Sequence, residues 1–240
     1  MKTVSIFSTL FLSQSALADF AKIEQLLQNN TNVPSARQLN SNYLSLFDYG
    51  CWCFNPATGF GKGRGKPLDA FDTECRKLAH NYECLIIETV NGAENACETE
   101  EPWTTSYTLD PAGYFHIFNG DIDGVIDACI TGNAGNVCAT NVCKAELKFA
   151  TVTIAAAGMD GYSASKKHDN GFDAREEGKC EAVMRDNTED FERECCGSYP
   201  EKFPYKKTAS RGCCNDRTFD VNNLQCCKSS LTYVGDICQV

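Results

Sequence analysis

Beyond its first residues, this 240-residue chain has no long apolar run. The longest candidate, from Thr151 to Gly158, is short and alanine-rich, so no segment is expected to cross a bilayer as a helix and no transmembrane segment is expected. Basic excess is missing too. With 22 Lys and Arg against 32 Asp and Glu, the formal charge is -10, which excludes a phosphate-tracking surface and with it nucleic acid as the expected partner. Histidine is scarce, three in all, and His116 and His168 show no ligand spacing with each other, so the pattern does not support zinc. Collagen-like and disordered compositions are absent: 42% hydrophobic and 22% charged residues describe a globular chain. What the chain has in quantity is cysteine. Sixteen in 240 residues is far more than a reduced compartment favours, and it points to an oxidising one.

The amino terminus agrees. Lys2, the apolar stretch from Val4 to Leu12 and the small-x-small Ala16-Leu17-Ala18 follow the order of a cleaved signal peptide, residues 1–18. The mature chain is expected to begin at Asp19 and to be secreted and extracellular. Asn29-Asn30-Thr31 is a formal N-glycosylation acceptor. Eight cysteines fall between Cys51 and Cys143 and eight between Cys180 and Cys238. The even division predicts two separately cross-linked units, 19–158 and 180–240, with 159–179 a loop-like linker and no disulfide between the units.

Helical spacing of Phe20, Ile23, Leu26 and Leu27 predicts a short amphipathic N-terminal helix. From Pro67, the residues Leu68, Phe71, Cys75, Leu78, Ala79, Tyr82, Leu85 and Ile86 fall on one stripe of a helix of about twenty residues, with Pro67 suited to a first turn. A second long helix is predicted from about Thr140 to Ala157, ended by Gly158. Two antiparallel helices bridged by disulfides are the simplest architecture. Within FNGDIDGVID, the residues Asn119, Asp121, Asp123 and Gly124 open like a calcium loop, but Ile130 stands where the bidentate glutamate belongs, so an acidic turn is expected.

Between Cys53 and Pro67, the run GFGKGRGKP carries glycine at every second position. It must be a loop that approaches another group closely or adopts positive φ. The stretch YGCWC from Tyr49 to Cys53, the Gly-x-Gly-x-Gly-x-Pro-x-Asp run from Gly61 to Asp69 and the cysteine-bearing helix that follows together resemble secreted phospholipase A2 over residues 20–157. The resemblance implies two antiparallel disulfide-linked helices and an N-terminal helix at the lipid interface. It also implies Ca2+ held by backbone carbonyls around Trp52, Phe54, Gly63 and Gly65 together with one helix aspartate. Catalysis in that family uses a His-Asp pair, the histidine activating water while calcium polarises the ester carbonyl.

The chain departs from the family where that chemistry sits. Matching Cys75 to either member of the family's cysteine pair puts the dyad at Ala79-His80 or at Leu78-Ala79, and neither pair is His-Asp. The only nearby base is His80, on a face with Arg76 and Glu83, which reads either as a solvated helix histidine or as a repurposed catalytic base. The orienting aspartate would fall at Lys144 if Cys143 is the cysteine before it. Lys62, Arg64 and Lys66 in the loop would repel a divalent cation.

The second half carries the adjacent pairs Cys195-Cys196, Cys213-Cys214 and Cys226-Cys227. Neighbouring cysteines rarely bond each other, so each pair should reach two different partners. CCNDRTFDVNNLQCC, Cys213 to Cys227, resembles the di-cysteine repeats of galaxin-like extracellular matrix proteins, which implies binding or matrix anchoring. The expected fold is mainly α, a phospholipase A2-like set of disulfide-linked antiparallel helices plus a small cysteine-rich irregular or β module. The expected function is a secreted phospholipase A2-like protein that acts on or binds phospholipid, zwitterionic surfaces favoured, with a degenerate dyad. The alternative is a non-catalytic extracellular matrix or lipid-binding protein.

Overall fold

The helix predicted after Pro67 is the axis on which both halves of the chain are built. The computed structural model describes residues 49–53, 63–93, 97–98, 102–155, 163–176, 178–180, 192–228 and 230–238. The signal segment, the predicted N-terminal helix, Asn29, Phe54 and Lys62 lie outside them. Helix α1 runs Ala70–Val90, and its N-cap is Asp69, whose carboxylate accepts the Asp72 N–H. Pro67 therefore precedes the helix and is not in its first turn. Phe71, Cys75, Leu78, Tyr82 and Leu85 are buried as the stripe predicts, but Ala79 and Ile86 are only half-buried. A second face, through Asn81 and Cys84, is buried as well. One apolar stripe accounts for only the first of these.

Helix α2, Pro111–Asn119, ends at Gly120 in a left-handed conformation. Helix α3, Ile122–Gly132, starts at once, with Asp121 accepting the Gly124 N–H as its cap. The acidic FNGDIDGVID stretch is thus a junction between two helices, with Asp121 used as a cap. Helix α4, Val137–Ala155, begins three residues before the expected start, because Asn136 accepts the Ala139 N–H at 3.0 Å and caps it. Val142, Cys143, Leu147, Phe149, Ala150 and Thr151 are almost wholly buried, which makes α4 the central helix of the core. Burying side chains the size of Leu147 and Phe149 contributes about 2–3 kcal/mol each. Phe149 meets Phe71, Lys148 meets Glu74 and Glu146 meets Tyr82, so α1 and α4 run in opposite directions.

All sixteen cysteines are paired. None of the bonds joins α1 to α4, contrary to the bridged pair expected: Cys75 is bonded to Cys53, Cys84 to Cys195, Cys138 to Cys97 and Cys143 to Cys129. A second expectation also fails. Cys51–Cys180 and Cys84–Cys195 cross between the two halves. The even split of cysteines along the chain is not a split of bonds, because the start of the second half is folded back onto α1.

Among its described residues, that second half forms three antiparallel hairpins: β1 (Arg193–Cys196) with β2 (Phe203–Lys206), β3 (Arg211–Cys214) with β4 (Arg217–Asp220), and β5 (Leu224–Cys227) with β6 (Ser230–Tyr233). They form three separate two-stranded sheets. A two-stranded hairpin is marginal alone in water, and here the disulfides Cys196–Cys213 and Cys214–Cys226 link each to the next, while Cys227–Cys238 ties the last to the residues that follow it. Adjacent cysteines do reach different partners, as expected. The first hairpin covers the second buried face of α1: the Asn81 side chain donates to the Pro200 carbonyl at 2.6 Å, Tyr199 donates to Glu88 at 2.9 Å, and Arg193 pairs with Glu83.

Candidate functional site

The turn from Tyr49 to Cys53 is held against the start of α1 by one carboxylate. Asp72 is fully buried, and its two oxygens accept the N–H groups of Cys51 at 3.0 and 3.1 Å, of Trp52 at 2.8 Å and of Leu68 at 2.9 Å. Burial pushes this carboxyl upward, and the Leu68, Cys51 and Trp52 amides only partly offset it. Gly50 has φ +60°, and a Cβ there would lie 2.7 Å from the Asp72 carboxyl carbon, so this position requires glycine. Beside it, Asp69 accepts the Tyr49 hydroxyl at 2.5 Å and the Lys166 ammonium at 2.8 Å. Burial raises Asp69, but the Asp72 amide, Lys166 and Tyr49 outweigh it and hold the carboxyl below the usual range. Cys53–Cys75 clamps the turn to the helix.

The described part of the glycine run, from Gly63 onward, closely approaches Trp52. A Cβ on Gly63 would fall 2.3 Å from the indole ring, and the Gly65 carbonyl accepts the Trp52 indole N–H at 3.1 Å. The Cys51 carbonyl accepts the Arg64 N–H at 3.2 Å. These bonds use the loop internally. Calcium needs six to eight oxygens with at least one carboxylate among them. Here the Gly65 carbonyl is taken by the indole, Asp72 by three amides and Asp69 by Tyr49 and Lys166. Among the described residues, no three His, Cys, Asp or Glu side chains are grouped to hold a metal. Of the expected calcium set, Trp52, Gly63 and Gly65 lie in this internally bonded stretch, and Phe54 lies outside the described residues.

The dyad positions part company. Leu78 is 3% exposed and belongs to the main core, whereas Ala79 and His80 are half-buried on the flank of α1. The His80 ring stands edge-on to Trp52 with centroids 5.3 Å apart, so it is packed against the loop. On α4, the buried carboxylate that faces α1 is Glu146, bonded to the Tyr82 hydroxyl, while Lys144 is only half-buried. Lys148, nearly buried, reaches Glu74 and, at 2.9 Å, Glu201 of the β1–β2 turn. Sequence reading missed Glu146 and Lys148. The available signal was a Glu and a Lys inside AELKFATVT, a helical run with no other charge to mark a solvated face.

The other two histidines sit in different surroundings. His116 sits in the last turn of α2, its Nδ1 2.7 Å from Asp121. The Gly124 amide first, and His116 second, hold that aspartate low. His168 lies in a short 3-10 turn, His168–Asn170, with Nε2 2.8 Å from the Gly50 carbonyl. The stretch 163–176, read as a linker, is therefore bonded to the Tyr49 turn: the Gly50 N–H donates to the Lys166 carbonyl at 2.9 Å, and the Arg64 guanidinium to the Ala174 carbonyl at 2.9 Å.

Chemically, the junction is a locked loop–helix corner with a polar α1–α4 network beneath it, and among the described residues it presents no paired base and Lewis-acid ligand. Known proteins add no identification: no family model matches the chain, and neither a curated protein nor a solved structure does.

Proposed function

We propose that this is a non-catalytic extracellular binding protein on a phospholipase A2-like helical scaffold, with a zwitterionic phospholipid surface as its partner. One observation carries the loss of catalysis. In the two registers of the resemblance, Ala79-His80 and Leu78-Ala79, the base position is Ala79 or Leu78, the latter in the core, beside a loop whose Gly65 carbonyl is already bonded to Trp52. Neither side chain takes a proton from water. Eight disulfides fit an oxidising, extracellular setting. No helix among the described residues is long and apolar enough to cross a membrane. Phe115 on α2 is 67% exposed and Val137 at the start of α4 is 43% exposed, which gives apolar side chains for an interface. The formal charge of -10 opposes anionic bilayers.

The test is a paired assay on phosphatidylcholine vesicles with millimolar calcium, scoring sedimentation and fatty-acid release together. Binding without release is expected, with binding weakened by Phe115→Asp. Calcium-dependent release that His80→Ala abolishes would overturn the proposal. A second reading, matrix anchoring through the hairpins, is favoured by Tyr233, 72% exposed, and Ile237, 90% exposed, at the far end of the ladder. Ile237→Asp would impair that role and leave vesicle binding intact.

A further inference from the structure

Between Arg64 and residues 168–175 lies a cleft of about 640 Å³, within the size range of small-molecule sites. Its charged lining is of both signs. Arg64 spends one guanidinium nitrogen on the Ala174 carbonyl, and its remaining N–H groups have no partner among the described residues. Arg175, exposed, makes no side-chain hydrogen bond or ion pair among the described residues. Asp173 accepts the Arg175 backbone N–H at 2.8 Å through Oδ1, and its Oδ2 has no protein partner among the described residues. The two oppositely charged side chains, two positions apart in the chain, are not paired with each other. The apolar part of the lining is Phe172, stacked on His168 with ring planes 11° apart.

The walls are fixed before any ligand arrives. Cys51–Cys180 and the Gly50–Lys166, His168–Gly50 and Arg64–Ala174 hydrogen bonds tie the two segments together. Pre-organised walls lower the ordering cost of binding.

We propose that this cleft binds a zwitterionic phosphate ester, its phosphoryl oxygens held by Arg64 and Arg175 and its ammonium facing Asp173. Two guanidinium groups suit a phosphoryl group, because their forked donors match its oxygens. The carboxylate in the same lining would repel a simple anion and instead selects a ligand that also carries a positive charge. The ester has two sources, a phospholipid headgroup or a free soluble ester. This inference deepens the lipid-binding proposal and rests on it only where the source is a membrane.

Calorimetric titration with phosphocholine, with inorganic phosphate and with phosphatidylcholine vesicles separates these cases. Arg175→Gln should weaken phosphocholine about tenfold or more, the loss expected for one charge-assisted hydrogen bond. Asp173→Asn keeps an oxygen for the Arg175 amide, so the backbone should hold. It should weaken phosphocholine several-fold and tighten inorganic phosphate, a change of opposite sign that a merely structural role would not give. Unchanged circular dichroism confirms that both exposed substitutions fold. Phosphocholine binding that depends on Arg175, without vesicle binding, keeps the cleft and removes the membrane as its source. Vesicle binding that Arg175→Gln weakens, without binding of free phosphocholine, makes the headgroup in the bilayer the ligand. Vesicle binding untouched by Arg175→Gln and Asp173→Asn, with no binding of phosphocholine, overturns the cleft and leaves the lipid-binding proposal standing. No binding by any probe, or phosphocholine binding indifferent to both variants, overturns the cleft as well.

Discussion

Cys84–Cys195, the bond that fastens the first hairpin to α1, should contribute less than its sequence separation of 111 suggests. The loop it closes is shortened by other bridges. From Cys84 the chain runs to Cys75, crosses to Cys53, continues to Cys51, crosses to Cys180 and reaches Cys195, a circuit of about 26 residues. Chain-entropy arithmetic assigns about 3.5 kcal/mol to closing such a loop. Without Cys51–Cys180, the shortest remaining circuit passes through Cys97–Cys138 and is about 70 residues long, for which the same arithmetic gives about 4.4 kcal/mol. The pair Cys84→Ser and Cys195→Ser should therefore cost about 3.5 kcal/mol in the native background and about 0.9 kcal/mol more when Cys51 and Cys180 are also serine. At roughly 2–4 °C per kcal/mol for a chain of this size, the first loss is a fall in Tm of about 7–14 °C. Guanidinium denaturation of the four variants closes the cycle. A coupling of zero or of the opposite sign would show that the two bridges do not share a loop, and the reasoning would be wrong.

Three further outcomes are expected. Lys148→Ala, which removes the buried one of the two cations, Lys148 and Lys77, that bridge Glu74 and Glu201, should destabilise by about 1.5–3 kcal/mol in thermal melts; a loss below about 1 kcal/mol would mean that Lys77 alone serves those carboxylates. Gly63→Ala must displace the indole that a new Cβ would meet at 2.3 Å, so it should shift Trp52 emission and cost about 1–3 kcal/mol, whereas unchanged emission would refute the packing. Asp69, with its pKa lowered by the Asp72 amide, Lys166 and Tyr49 against the effect of burial, and Glu201, lowered by Lys148 and Lys77 against burial, contribute stability that is present above about pH 4 and is lost as pH falls through their folded values. Asp72, raised by burial, opposes that loss. Melting temperatures should still fall between pH 5 and pH 2, and a flat profile would contradict the assignment.

The parts of the fold that were legible in the sequence depended on periodicity and capping. Phe71, Cys75, Leu78, Tyr82 and Leu85 announced α1 because one face of it meets a helix. The second face, through Asn81 and Cys84, was not legible, since its burial depends on a hairpin more than a hundred residues away and carries no apolar stripe. Disulfide pairing was equally opaque: a cysteine's position does not encode its partner, and an even count per half suggested a division that Cys51–Cys180 and Cys84–Cys195 erase. At the candidate site, the close approach of the glycine run was foreseeable from composition. Its object, the Trp52 ring, was not, because the packing is set in three dimensions by the N–H groups that Asp72 holds. Glu146 and Lys148 were not legible as site residues, because sequence spacing cannot show that their stretch of α4 is buried on nearly every side.

The hairpin ladder has a mechanical consequence. From Cys238 a covalent track runs to Cys227, through the peptide bond to Cys226, across to Cys214, through Cys213 to Cys196, and through Cys195 to Cys84 on α1. Tension applied at the carboxyl end travels along four sulfur bridges and three peptide linkages and bypasses every hairpin turn. The strands carry almost none of it, so the segment can extend very little before load reaches the helical body. Residues added to a hairpin turn would leave this track unchanged, because it runs through none of the turns.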